Sequence, residues 1–229
     1  MVKVISLGGS IVAPDNIDTE FLSEFTTVIK DYLASVPEAK LVFIIGGGAP
    51  ARMFQNAYKG IADTYKAEEA DWIGITATRL NAQLLHAVFS DYCNDPVVYD
   101  PTSVSQITSR ILIAAGWKPG FSTDYDAVLI AERLSAQTVI NLTNIPKVYT
   151  ADPKKDPNAK PIDSISWKDF RILVGDEWVP GRNLPFDPVA TKHAAGLGLR
   201  VISAAGKNIT NLINLLYERP FEGTVIGPE

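Results

Sequence analysis

The sequence predicts an α/β protein, a three-layer αβα sandwich around a mostly parallel central sheet. Three observations carry this expectation. Buried-type apolar runs alternate with helical patterns along the whole chain. The segments between the first runs are long enough for the helical crossovers that parallel strands require. Three runs end in glycine-bearing loops, at Gly8-Gly9-Ser10, Gly46-Gly47-Gly48 and Gly116–Gly120. In sheets of this kind ligands gather beyond the strand carboxyl ends, where all three loops fall.

The first strand is read at Val2–Leu7, running into Gly8-Gly9-Ser10, where glycine lets backbone approach a ligand closely. Pro14-Asp15-Asn16 marks a turn, and Asp18 or Thr19 caps a helix. Its apolar positions Phe21, Leu22, Phe25, Val28, Ile29 and Leu33 recur at helical spacing, and Pro37 stops it. Strand Leu41–Ile45 delivers the second glycine loop, which should face the first across a phosphate-binding crevice. Pro50 suits the first turn of a short helix, with Arg52 beside it. Arg52 is either a phosphate contact near the positive helix end or a solvated surface arginine.

A long helix is expected from Glu68 to about Val88, with Asp71 in its first turn and Arg79 inside. Asp71 alone reads equally as a ligand or as an acid favoured by the helix dipole. A short strand at Val97–Tyr99, a short helix at Thr102–Ser109 and a buried strand at Ile111–Ala114 follow. The loop Gly116–Gly120 continues through Phe121-Ser122 to Thr123-Asp124, either phosphate or ribose ligands or a plain N-cap for the helix Asp126–Leu134. Strand Thr138–Leu142 leads into a proline- and lysine-bearing surface loop over 143–157, in which Tyr149 could stack on a base. The remainder reads as helix Trp167–Leu173, loop Gly175–Pro185, a helix opened by Phe186-Asp187-Pro188, strand Arg200–Ser203, helix Asn208–Tyr217 and strand Thr224–Ile226.

Composition narrows the function classes. A chain of 229 residues holds one large α/β domain, and no linker or low-complexity segment divides it. A net charge of −5 argues against general nucleic-acid binding, which wants a basic surface. The single cysteine, Cys93, excludes an internal disulfide framework and suits a reducing cytoplasm. No run approaches the ~18 apolar residues of a membrane span, and a strand beginning within two residues leaves no room for a signal peptide. His86 and His193 stand far apart without ligand spacing, so a structural transition-metal site is not expected.

Taken in order, these motifs resemble the amino-acid-kinase superfamily and, within it, uridylate (UMP) kinases of the archaeal type. The resemblance runs nearly end to end: Leu7-Gly8-Gly9-Ser10 with Pro14, Gly46-Gly47-Gly48 with Ala51-Arg52, and Asp71 through Arg79-Leu80-Asn81-Ala82. It continues in Pro119-Gly120 with Thr123-Asp124, Thr143-Asn144, Val148 to Pro157, Asp187-Pro188 with Ala190 and Lys192, and Gly223-Thr224.

The resemblance implies one domain over 1–229, residues 1–135 serving the acceptor and 136–229 the ATP. Gly9, Ser10 and Gly48 would wrap the phosphates in transfer, with Arg52 nearby. Thr143, Tyr149 and Asp152 would bind the adenine nucleotide. Gly47, Asp71 and the run Lys118, Pro119, Gly120, Phe121, Ser122, Thr123, Asp124 would hold the nucleoside monophosphate. Asp124 and Asp187 would be catalytic, and Lys118, where this sequence departs from the family, is a third catalytic candidate. Mg²⁺ would arrive on the ATP phosphates rather than at a protein-only site. A cytoplasmic hexamer built from dimers is also implied, for which the helices near Phe21–Leu33 and Trp72–Val88 are candidate interfaces.

Three positions depart from the family pattern. Ser6 stands where many members carry a lysine, although other archaeal-type members lack it too. Trp117-Lys118 replaces Thr-His in the third loop, and Pro146-Lys147 replaces Asp-Gly beside the donor. Lys118 could restore the positive charge. A small-molecule kinase with an acyl or carbamoyl acceptor, and a non-catalytic nucleotide-binding or storage protein, are the alternative readings.

Overall fold

The computed structural model describes residues 2–175, 177 and 184–227. Its central sheet has seven strands in the order β3-β2-β1-β4-β8-β9-β7. These are β1 (Val2–Leu7), β2 (Lys40–Ile45), β3 (Ile111–Ala114), β4 (Thr138–Thr143), β7 (Ser164–Ile165), β8 (Arg200–Ala205) and β9 (Thr224–Ile226). All neighbours are parallel except β8 and β9. The chain steps outward from β1 through β2 to β3, then returns to lay β4 on the other side of β1. The strand order therefore reverses at β1/β4, where a doubly wound sheet opens its ligand crevice.

Period-two alternation divides the sheet residues between two cores. Ile5, Leu7, Leu41, Phe43, Ile45, Ile111, Ile113 and Leu142 face α2 (Thr19–Ser35), α4 (Ala67–Val88) and α8 (Ile209–Leu216). Val4, Val42, Ile44, Leu112, Val139 and Val201 face α5 (Thr123–Arg133), α6 (Trp167–Val174) and α7 (Pro188–Leu197). The first core is centred on Phe25, Phe43 and Phe89, with ring centroids 5.4–6.3 Å apart. Each such ring, fully buried, contributes about 1.5–3 kcal/mol.

Local chemistry sets the helix limits. Asp18 caps α2 by accepting from the Phe21 amide at 3.0 Å. Its lowered pKa comes chiefly from the Lys207 ammonium bonded to its carboxylate. Arg110 reaches the other end of α2 and donates to the Leu33 and Val36 carbonyls, satisfying orphan acceptors there. The apolar positions Phe21, Leu22, Phe25, Val28, Ile29 and Leu33 of α2 all pack into the first core.

Several elements differ from expectation. Val97–Tyr99 forms no strand; Val98 makes one isolated bridge to Ala114. The helix expected over 102–109 shrinks to a 3₁₀ turn at Pro101–Ser103, because Asp100 turns the chain by accepting from the Thr102 amide and hydroxyl. The helix after the second glycine loop, α3 (Gly48–Ile61), runs 14 residues rather than being short. The segment after β4 is not loop alone: β5 (Val148–Tyr149) pairs antiparallel with β6 (Pro161–Ile162). The loop read at Gly175–Pro185 lies largely outside the described residues.

Candidate active site

The first two glycine loops are interlocked rather than set apart. After β1 the chain turns at once into α1 (Gly9–Val12). A Cβ on Gly9 would lie 2.0 Å from the Gly48 nitrogen, and one on Gly46 would lie 2.2 Å from the Gly9 nitrogen. Gly48 has φ +65, a conformation that side chains disfavour, and its missing Cβ faces the Gly9 and Ala13 carbonyls. Gly8 N–H donates to the Leu142 carbonyl and Gly46 N–H to the Leu7 carbonyl, both at 3.0 Å, so the loops leave β1 and β2 side by side.

At the start of α3 the Ala49 amide is spent on the Ala13 carbonyl at 2.8 Å, and Pro50 has none. Affinity for an anion at this terminus therefore falls to the Gly47 and Gly48 amides and the helix dipole. Arg52 is exposed, and its guanidinium donates to the Pro14 carbonyl at 2.8 Å, which ties α3 to the turn after α1.

One face of α4 braces the second and third glycine loops. Asn81 donates its side-chain amide to the Gly46 and Gly47 carbonyls at 2.9 and 3.1 Å. Thr78 accepts from the Gly116 amide at 2.8 Å, Arg79 donates to the Trp117 carbonyl at 3.0 Å, and Asp71 accepts from the Gly120 amide at 2.9 Å. Spacings of three, seven and eight residues put these side chains on one side of the helix. Asp71 thus serves the third loop in addition to whatever it offers a ligand. Lys118 extends over two aromatic faces, 3.8 Å from the Trp117 ring centroid and 5.1 Å from that of Phe121.

The third loop ends in a cap different from the one expected. Ser122, not Thr123 or Asp124, caps α5 by accepting from the Tyr125 amide at 3.2 Å. Asp124 is thereby free to turn toward β1, where the buried Ser6 hydroxyl donates to its Oδ1 at 3.3 Å. The Asp187 amide donates to its Oδ2 at 3.2 Å. Burial, with the Asp187 carboxylate adding to it, raises the Asp124 pKa to about 7. Asp187 caps α7 by accepting from the Ala190 amide, and burial raises its own pKa.

Thr143 ends β4, and its carbonyl accepts from the Gly206 amide at 2.8 Å. Tyr149 lies in β5, and Asp152 in the following turn accepts from the Lys154 amide at 3.0 Å. The polar contacts of Asp152 stay within its own turn. The structure thus joins Gly9, Gly47 and Gly48 directly, joins Asp71 to Gly120, and joins Asp124 to Asp187. Thr143 lies one register step from the first loop, since Leu142 pairs with Leu7.

Sequence reasoning missed Thr78, Asp126 and the loop-bracing role of Asn81. Thr78 and Asn81 carried a usable signal, polar side chains at otherwise buried helix positions. Among the described residues no cluster of three or more His, Cys, Asp or Glu side chains is arranged to hold a metal ion. No helix there is long and apolar enough to cross a membrane.

Crevice, interlocked glycine loops and paired carboxylates together define a phosphoryl-handling α/β protein, and the model of the Amino acid kinase family matches residues 1–203; the chain belongs to that family. Within it the resemblance is specific. A uridylate kinase of Methanospirillum hungatei is 34% identical over 228 residues, 97% of this chain and 93% of that protein. One from Pyrococcus abyssi is 31% identical, covering 98% and 99% of the two chains. The crystal structure of uridylate kinase from Archaeoglobus fulgidus superposes with a TM-score of 0.83 at 29% identity, covering 98% of this chain and 100% of that one.

Proposed function

We propose that the protein is a UMP kinase, transferring the γ-phosphoryl group of ATP to UMP to give ADP and UDP in pyrimidine nucleotide synthesis. One observation carries the reading: a glycine-loop pair with no room between its members stands at the crevice, and the third loop is fastened to the same helix, α4, that braces the second. That arrangement suits two nucleotides meeting end to end at a fixed phosphate seat. The full-length similarity to uridylate kinases supports UMP as the acceptor.

Residues 1–135 would bind UMP through Gly47, Asp71 and the run from Lys118 to Asp124. Residues 136–229 would bind ATP through Thr143, Tyr149 and Asp152, with Gly9, Ser10, Gly48 and Arg52 at the phosphates between. Transfer is in line, so positioning and charge neutralisation do most of the work. The hard oxygen donors of Asp124 and Asp187 fit a magnesium ion held through water, and relief of their mutual repulsion would favour it. Mg²⁺ bound with ATP supplies charge neutralisation on the donor phosphates. Lys118, lying over the Trp117 and Phe121 rings, would supply the cation that Ser6 does not.

A cytoplasmic homo-oligomer, a hexamer built from dimers, belongs to the same proposal. Met53, Ile61 and Leu80 on α3 and α4 are 61%, 82% and 69% exposed, an apolar surface suited to a second copy. Light scattering on the eluting protein checks that assembly.

The activity is tested by coupled ADP release with UMP, CMP, acetylglutamate and carbamate offered in turn. UMP should give the highest kcat/KM. Turnover confined to acetylglutamate or carbamate, or ATP binding without turnover on any acceptor, overturns the proposal.

A further inference from the structure

Asp126 is fully buried in α5, yet it is a carboxylate in an otherwise apolar stripe with Ala127, Ile130 and Ala131. Among the described residues it joins no ion pair. Its Oδ2 accepts from the Trp117 amide at 3.2 Å, while its Oδ1 is buried with no partner. Burial and the charges of Asp124 and Asp100 work against a carboxylate there, and the Trp117 N–H bond only partly offsets them.

A neutral acceptor would have served, and the neighbouring residue shows it: Thr78 satisfies the Gly116 amide. A buried, half-satisfied acid costs stability, and such costs persist where structure serves function. The peptide it holds is gripped from both sides. Asp126 takes the Trp117 N–H from α5, and Arg79 donates to the Trp117 carbonyl from α4. Arg79 also keeps one buried nitrogen unpartnered and lays its guanidinium 4.4 Å from the Tyr99 ring centroid. Two charged side chains thus fix a single residue, and that residue immediately precedes Lys118.

We propose that Asp126 is a positioning residue of the acceptor loop, which, with Arg79 opposite, fixes the Trp117 peptide and so the path of the run from Lys118 to Asp124 that would bind the acceptor. The inference rests on the UMP kinase reading for its substrate, and on hydrogen-bond geometry for its structural half. The buried Asp126 oxygen takes the Trp117 N–H whether or not the acid is ionised, and so holds the loop in one register while substrate comes and goes.

The test compares Asp126→Leu, similar in shape but unable to accept, with Asp126→Asn, which keeps an acceptor oxygen. The Leu variant should raise the UMP KM at least tenfold, leave the ATP KM within twofold and abolish exchange protection of the Trp117 amide. The Asn variant should keep both KM values within threefold and retain the protection. Should Asp126→Leu fail to fold, Arg79→Met decides, because it frees the same peptide from its other side and must raise the UMP KM alone. Unchanged protection in the Leu variant, or equal losses on both substrates, overturns the proposal. If the wild type does not phosphorylate UMP, the proposed function falls instead, and the hold on the loop is decided by amide exchange alone.

Discussion

The Ser6 hydroxyl lies 3.3 Å from the Asp124 carboxylate, at the last but one residue of β1. A lysine at that place would neutralise Asp124, whereas a hydroxyl only donates one hydrogen bond to it. Burial makes Asp124, Asp126 and Asp187 all hold their protons to higher pH than usual, and neighbouring carboxylates add to this at Asp124 and Asp126.

The first prediction is a pH dependence of stability. Asp124 and Asp126 rise from 3.8 to about 7 on folding, so an unfolded chain sheds those protons well before the native one does. Stability is then greatest on the acid side of this window, falls as pH climbs toward 7 and levels off above it. For the fully buried Asp126 the whole effect is on the order of 4 kcal/mol. The nucleotide-free protein should melt at a lower temperature at pH 8 than at pH 5.5, and Asp126→Asn should flatten the difference. A melting temperature that rises over the same range contradicts the assignment.

Gly9→Ala should abolish catalysis by geometry alone. Its Cβ would meet Gly48 backbone at 2.0 Å, which no side-chain movement relieves. We expect kcat/KM to fall by about 10²-fold or more, from displacement of the phosphate seat. Gly60→Ala is the control: nothing lies within 4 Å of its missing Cβ, and alanine gains about 1 kcal/mol of helix propensity in α3. Thermal melting and steady-state kinetics on both variants separate the cases.

Lys118→Met should lower kcat by roughly 10²-fold with little change in UMP affinity, the scale of one preorganised electrostatic donor. Methionine keeps the length that lies over Trp117 and Phe121, so packing is preserved while the charge is lost. A kcat within threefold of wild type would return Lys118 to the solvated surface.

Asp71→Asn and Asp71→Ala should differ in degree. Both remove a carboxylate from the proposed acceptor site, but asparagine can still accept from the Gly120 amide. The UMP KM should rise in both and more in the alanine variant, with the ATP KM nearly unchanged. Equal rises for the two nucleotides would mark Asp71 as a helix-start acid only.

The chain's alternating pattern made β1, α2, β2, α4, β3, β4 and β8 legible, because each carries an apolar period and a cap or stop of its own. Pairings that depend on distant partners were not. The hairpin of β5 and β6 is two residues deep, and Val148 donates its amide to the Thr224 hydroxyl 76 positions away. Residues 104–110 are ordered by their neighbours, as where Lys40 donates to the Ile107 carbonyl. At the site, the glycines and Asp124 announced themselves through local motif. Ser122 was hidden because three successive polar residues could each cap α5, and only the fold selects one. Asp126 was visible in principle, a charge on an apolar stripe, but its partner amide belongs to a loop nine residues earlier.

The contact between Gly9 and Gly48 has a consequence for how such a chain can be recombined. Two segments nearly forty residues apart share one steric solution, and neither tolerates a side chain while the other keeps its path. A chimera importing only the first βα unit from a relative with a differently shaped second loop would collide at its centre. Residues 8–9 and 46–48 form one module of inheritance, to be exchanged together or not at all.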